Sequence, residues 1–96
     1  MHVYKLIDTS GQHYYVGMSR DPYARLATHN AGKVKTTRRH RPWKLFFIEE
    51  CADIPSARSR EKYWKSAAGR RRAKEMILTW NHTQPLTLRW QSSDNF

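Results

Sequence analysis

The stretch Val3-Tyr4-Lys5-Leu6-Ile7-Asp8-Thr9-Ser10-Gly11-Gln12-His13-Tyr14-Tyr15-Val16-Gly17-Met18 decides the fold. Residues 3–8 and 13–18 are rich in β-branched and aromatic strand formers, and Thr9 to Gln12 between them are turn formers. Two strands joined by so short a turn make an antiparallel hairpin. Its register decides where the tyrosines lie. If Asp8 pairs with His13 around a four-residue loop, Tyr4 faces Gly17, and Tyr15 is its diagonal neighbour on the same face. A three-residue loop ending at Gly11 would put the two phenols on opposite faces.

Working outward, Asp21-Pro22 is a helix start, with Asp as N-cap and Pro at the first helical position, and Gly32 is a stop. A helix is expected over residues 21–31. Residues 33–41 show no apolar period and read as a loop, whereas Trp43-Lys44-Leu45-Phe46-Phe47-Ile48-Glu49 reads as a buried strand. Asp53 and Pro55 suit a second helix entry. The run to Ala68 holds good helix formers, and Gly69 is the expected break. Arg70 to Thr79 then forms a further helix, apolar along Ala73, Met76, Ile77 and Trp80. The order β-β-α-β-α-α predicts an α+β fold, a small three-stranded mixed or antiparallel sheet flanked by helices. Residues 1–80 are assigned to this domain, and residues 81–96 to a C-terminal tail packed on it or extending from it.

Composition narrows the function. The 96 residues include 18 Lys+Arg against 8 Asp+Glu, a formal net charge of +10. Repulsion of that size asks for an anionic partner, and nucleic acid fits best. The single cysteine, Cys51, supplies neither a disulfide nor a cysteine zinc cage. Met1-His2-Val3-Tyr4 has no signal-peptide pattern, and the longest apolar stretch, Leu45 to Ile48, is far shorter than a bilayer span. A cytoplasmic location without membrane contact is expected.

The charge is concentrated. Lys33, Lys35, Arg38, Arg39, Arg41 and Lys44 fall in a segment without acids, and residues 58–74 carry eight Lys or Arg against Glu61 alone. Such blocks are either solvated faces or a surface that grips phosphates without reading sequence. In the second reading Lys33, Lys35, Arg38, Arg39, Arg41, Arg58, Lys62, Arg70 and Arg71 contact nucleic acid. Trp43, beside the loop, stacks on an exposed base, as Trp80, Trp90 and Tyr63 also could.

Three positions suggest chemistry. Glu61 shares a helix face with Ala57, Trp64 and Ala68, so an acid sits on an apolar stripe. It needs either an ion pair with an arginine or a divalent cation, since one carboxylate with waters and a phosphate oxygen is a usual way to hold Mg²⁺. Arg25 and His29, four residues apart, share a face and could address one phosphate. The five histidines, His2, His13, His29, His40 and His82, match no zinc spacing.

Together these residues carry a resemblance. His2-Val3-Tyr4 stands where Gly-Ile-Tyr would be, Tyr15-Val16-Gly17 where Tyr-Ile-Gly would be, followed by Arg25-Leu26-Ala27-Thr28-His29-Asn30-Ala31-Gly32 and Ser59-Arg60-Glu61-Lys62. In that order the chain resembles the GIY-YIG nucleases, in particular the short stand-alone bacterial members. The resemblance implies hydrolysis of DNA phosphodiesters with Mg²⁺ or Mn²⁺. It implies Tyr15 as general base, Tyr4 supporting it and the phosphate, Arg25 stabilising the transition state, His29 assisting proton transfer, and Glu61 as the only protein ligand of the metal. Where larger members place an Asn beyond the Glu, this chain reads Arg72-Ala73-Lys74, and Asn81 is left outside the site.

The expected activity is therefore a metal-dependent endonuclease acting on single-stranded or locally unpaired DNA, with duplex and branched DNA still open. It would work as a monomer or weak dimer. The alternative is a non-catalytic basic nucleic-acid-binding module of the same fold.

Overall fold

A computed structural model describes residues 1–90. The elements run β1 (His2–Asp8), β2 (Tyr14–Ser19), α1 (Pro22–Asn30), a 3₁₀ turn (Arg38–His40), β3 (Trp43–Glu50), α2 (Ile54–Lys65), α3 (Ala67–Thr79) and β4 (Leu86–Arg89). They form an α+β fold around a mixed sheet in the order β2-β1-β3-β4, in which only β3 and β4 are parallel. The sheet has four strands where three were expected. Leu86-Thr87-Leu88-Arg89 alternates inward and outward, but two leucines are too brief a pattern to read as a strand. They reach the sheet only because α2 and α3 carry the chain back to run parallel with β3.

The hairpin takes the four-residue-loop register. Asp8 donates its amide to the His13 carbonyl, Tyr4 lies opposite Gly17, and Leu6 lies opposite Tyr15. Gly11 supplies the positive φ of 74° that the turn needs. The Asp8 carboxylate accepts from the Ser10 hydroxyl, the Gln12 and His13 amides, and His13 Nδ1. Burial alone would raise its pKa, but these bonds outweigh it and hold the carboxyl at about 2.

Two cores sandwich the sheet. Tyr4, Leu6, Trp43, Leu45 and Ile48 pack with Leu26 of α1, while Val3, Ile7, Val16, Phe46, Phe47, Ala57, Trp64, Ala73 and Trp80 form the layer beneath α2 and α3. A bulge between β1 and β3 makes this division workable. The pairing passes from Lys5 opposite Phe47 to Leu6 opposite Leu45, leaving Phe46 as the extra residue. Phe46 and Phe47 can therefore enter one layer, against Trp80 and Trp64 respectively.

The break between the last two helices falls at Ser66, not Gly69. Ser66 is extended (ψ 167°), closes α2, and caps α3 by accepting from the Gly69 amide. Gly69 sits within the first turn of α3 because the helices touch there. A Cβ at this position would lie inside contact distance of the Tyr63 carbonyl. α2 is fixed to the sheet by a buried pair in which Arg60 donates to Glu49 through Nε at 2.8 Å and Nη2 at 3.1 Å, with Trp64 Nε1 adding a third bond at 3.1 Å.

Candidate active site

The site is built on the α1 face and opens at the β2 edge. The Asp21 side chain accepts from the Ala24 amide, and Pro22 occupies the first helical position. At the other end, Gly32 (φ 79°) donates to the His29 carbonyl and Lys33 to that of Thr28, a Schellman closure. The Asn30 amide brackets the backbone of Trp43, donating to its carbonyl at 3.0 Å and accepting from its amide at 2.7 Å. α1 is thus held against β3, with His29 turned into the interior.

His29 is 0% exposed and bonded at both nitrogens. Nε2 lies 2.9 Å from the Tyr4 hydroxyl and Nδ1 lies 2.7 Å from Thr37 Oγ1. The Thr37 hydroxyl donates to the Val34 carbonyl at 3.4 Å, so it accepts from Nδ1–H and leaves Nε2 to accept from Tyr4. Electrostatics agree with this order. Burial, and then the Arg25 guanidinium, push the His29 pKa down. Burial pushes the Tyr4 phenol up against the pull of Arg25, with the neighbouring Tyr15 and Glu61 side chains adding to the rise. A neutral imidazole thus accepts from a protonated phenol.

Tyr15 completes the cluster. Its ring lies 4.7 Å from that of His29 and 6.2 Å from that of Tyr4, centroid to centroid, and it stays half-buried at the edge strand. Gly17 makes this approach feasible, since a Cβ there would stand 2.7 Å from the Tyr4 hydroxyl and 2.9 Å from Tyr15 Cε2. Glu61 comes from α2, and its charge is felt at Tyr4. Its carboxylate side chain is 24% exposed and pairs with Lys65 at 3.4 Å.

The structure thus joins Tyr4, Tyr15 and His29 directly, sets Arg25 beside Tyr4 and His29, and brings Glu61 within electrostatic reach. It changes three readings. Glu61 lies at the margin of the apolar stripe, and its partner is a lysine. Ala57 and Trp64 are buried, but Ala68 falls beyond the helix break and is exposed. The buried acid is Glu49, which sequence reasoning passed over. His29 lies behind Tyr4, closed to solvent, so its influence on a substrate runs through the Tyr4 hydroxyl.

Lys33, Lys35, Arg38, Arg39, Arg41, Arg58, Lys62, Arg70 and Arg71 are all exposed. Trp43 is not free to stack on a base. It is 4% exposed, and its indole donates to the Thr37 carbonyl at 2.8 Å. Trp80 is buried with its indole on the Gln84 carbonyl, and Tyr63 and Trp90 both lie against the Arg60 guanidinium.

Among the described residues, two groups could hold a cation. Glu61 offers a partly solvated carboxylate within electrostatic reach of Tyr4, a hard oxygen donor suited to Mg²⁺ or Mn²⁺ with water filling the remaining positions. Asp8, His13 and His40 also bring donor atoms within 4.8 Å of one another. There, however, the Asp8 oxygens are already occupied, and the two imidazoles stack in parallel at 3.6 Å, which directs their lone pairs side by side. This second group docks the cationic loop onto the hairpin.

Sequence reasoning missed Thr37 and Asn30. Asn30 lay within a quoted motif, and its place just before the helix stop could have marked it. Nothing distinguishes Thr37 from Thr36 in the sequence, because its role depends on how the loop folds back over His29.

Comparison with known proteins adds lineage to this geometry. The family model of the GIY-YIG catalytic domain matches residues 1–75. The chain is 36% identical over 81 residues to UPF0213 protein spr1390 of Streptococcus pneumoniae (strain ATCC BAA-255 / R6), covering 83% of this chain and 80% of that protein. No solved structure matches the chain.

Proposed function

The chain belongs to the GIY-YIG catalytic-domain family, and from that membership we propose that it is a metal-dependent endonuclease that hydrolyses phosphodiester bonds of DNA. The family supports a nuclease-type function and nucleic-acid binding. What carries the finer reading is the meeting of Tyr4, Tyr15 and His29 on one sheet face, with Arg25 beside them and Glu61 on the adjoining helix.

In this reading Tyr15, half-buried at the edge strand where Tyr4 is closed off, is the general base. The water oxygen bonds to phosphorus, the ester P–O bond breaks, and the water proton passes to Tyr15, while the leaving alkoxide takes a proton from solvent. A free phenol has a pKa near ~10, so positive charge nearby must favour its ionised form. Arg25 supplies such charge and neutralises the phosphate oxygens as the transition state forms. Tyr4 and His29 act as positioning residues, and Thr37 fixes the imidazole tautomer that keeps the Tyr4 hydroxyl in place. A divalent cation such as Mg²⁺ or Mn²⁺, held by Glu61, would supply Lewis-acid polarisation of a phosphate oxygen.

Single-stranded or locally unpaired DNA is the favoured substrate. Tyr23 on α1 and Tyr14 on β2 are exposed aromatic faces available for unstacked bases. A lone site cuts one strand per encounter, in keeping with a monomer or weak dimer that nicks.

End-labelled single-stranded, duplex and forked DNA, each incubated with Mg²⁺, Mn²⁺ or a chelator, test the proposal. Cleavage should require metal and be fastest on the single-stranded and forked molecules. Failure to cut any of them would replace it with a non-catalytic nucleic-acid-binding module of the same fold.

A further inference from the structure

Around the β2 edge from the tyrosines, on the side of α2 and α3, lies a cavity of about 380 Å³ whose walls include Lys5, Lys65, Arg70, Lys74, Tyr14 and Tyr15. Lys5 is its unusual member. It occupies a β1 position on the same face as Val3 and Ile7, where an apolar side chain would pack, and is 3% exposed. Its ammonium lies 4.8 Å from the centre of the Tyr14 ring, and among the described residues it has no carboxylate partner and no hydrogen bond. The stem is buried while the ammonium keeps a little solvent contact, and a cation–π contact returns only part of the cost of withdrawing it from bulk water. Three further cations face the same space, and among the described residues only Lys65 of them is paired, with Glu61. Among the described residues one carboxylate, Glu61, meets these four cations, and Lys5 stands where a methionine would serve the core better.

We infer that this cavity binds the phosphate group of a nucleotide, with Lys5 and Arg70 as its principal contacts. An ammonium and a guanidinium offer several charge-assisted donors, which suit the three or four oxygens of a phosphate. The volume has room for a sugar beyond the phosphate, and Tyr14 at the rim is open enough to meet it. Tyr15 belongs both to this cavity and to the candidate active site, and Lys65 joins the cavity to Glu61. This role in DNA handling rests on the proposed nuclease reading: the phosphate bound here belongs to the strand being cut or to a nucleotide released from it.

Binding is measured in chelator, where no cleavage occurs, by calorimetry and thermal unfolding. The probes are inorganic phosphate, thymidine 5′-monophosphate, and short oligothymidylates with a 5′-phosphate or a 5′-hydroxyl. The wild-type protein should bind phosphate and the monophosphate and melt higher in their presence. Lys5→Met removes a largely desolvated charge, so it should fold with a higher Tm and lose about tenfold or more in affinity for both. Arg70→Gln changes an exposed side chain and should weaken binding in the same direction. Preference for the 5′-phosphorylated oligomer would assign the cavity to strand ends. Equal binding of the two oligomers, each displaced by the monophosphate, would assign it to an internal phosphate, and both results support the inference. Absence of phosphate binding by the wild type, or unchanged binding by both variants, overturns it. A chain that cuts no DNA but binds phosphate through Lys5 would sink the nuclease reading and leave this site standing.

Discussion

A threonine with no sequence signature holds the centre of the site in place. Thr37→Val leaves His29 Nδ1–H without an acceptor in a closed interior, and the expected cost is about 1–3 kcal/mol of stability. Turnover at saturating DNA should fall with it, and Thr37→Ser should restore both, as read by urea unfolding and single-turnover cleavage. Lys5 yields a pH prediction. Burial, followed by repulsion from Arg70, lowers its pKa from 10.5 to about 8. Between those values the unfolded chain carries a proton that the folded protein lacks, so this residue contributes rising stability as pH increases from about 8 to 10.5. Relative to Lys5→Met, the wild type should be less stable and parallel below pH 8, then gain on the variant above it. A constant difference across that range would contradict the assignment. At this scale the sequence offered Tyr4, Tyr15, Arg25, His29 and Glu61 as candidates through the order of motifs that resemble the GIY-YIG nucleases, and the fold brings the two tyrosines and His29 together. Thr37, Glu49 and Lys5 were not among them, because each is defined by what the fold brings against it.

At the level of elements, α2 presents Glu61 because Arg60 and Trp64 anchor the helix to Glu49. Arg60→Ala leaves the Glu49 carboxylate buried without its cation, with the Trp64 indole as its remaining side-chain donor, and should cost about 3–5 kcal/mol. Replacing both partners, as Glu49→Leu with Arg60→Met, should recover most of the loss in chemical denaturation. Gly69→Ala should also destabilise, since its methyl meets the Tyr63 backbone, which cannot move without parting α2 from α3. These two devices show why boundaries were harder to read than elements. The hairpin, α1 and β3 follow from turn residues, caps and apolar runs that act locally. Gly69 looked like a helix breaker but is required for close packing, while Ser66, which does break the helix, is ordinary in composition. β4 depends on a crossover longer than any local pattern.

For the molecule as a whole, the net charge of +10 is displayed mainly by exposed side chains. If about six of them meet phosphates of a duplex, affinity should fall roughly 10³-fold between 50 and 200 mM salt, with little dependence on sequence. Among the described residues no helix is long and apolar enough to cross a membrane. The charge pattern was visible in the sequence, but not which aromatics it leaves free. Trp43, Trp80 and Trp90 are spent on packing and on Arg60, so among the described residues the exposed aromatic faces are those of tyrosines. The central claim is that a carboxylate set among these cations serves catalysis and not binding. The most direct measurement compares Glu61→Ala with the wild type on one labelled DNA, scoring cleavage in Mn²⁺ and affinity in chelator. Cleavage should vanish while affinity is kept or rises through loss of a negative charge. Cleavage at the wild-type rate, or equal loss of both with an unfolded far-UV spectrum, would contradict the account.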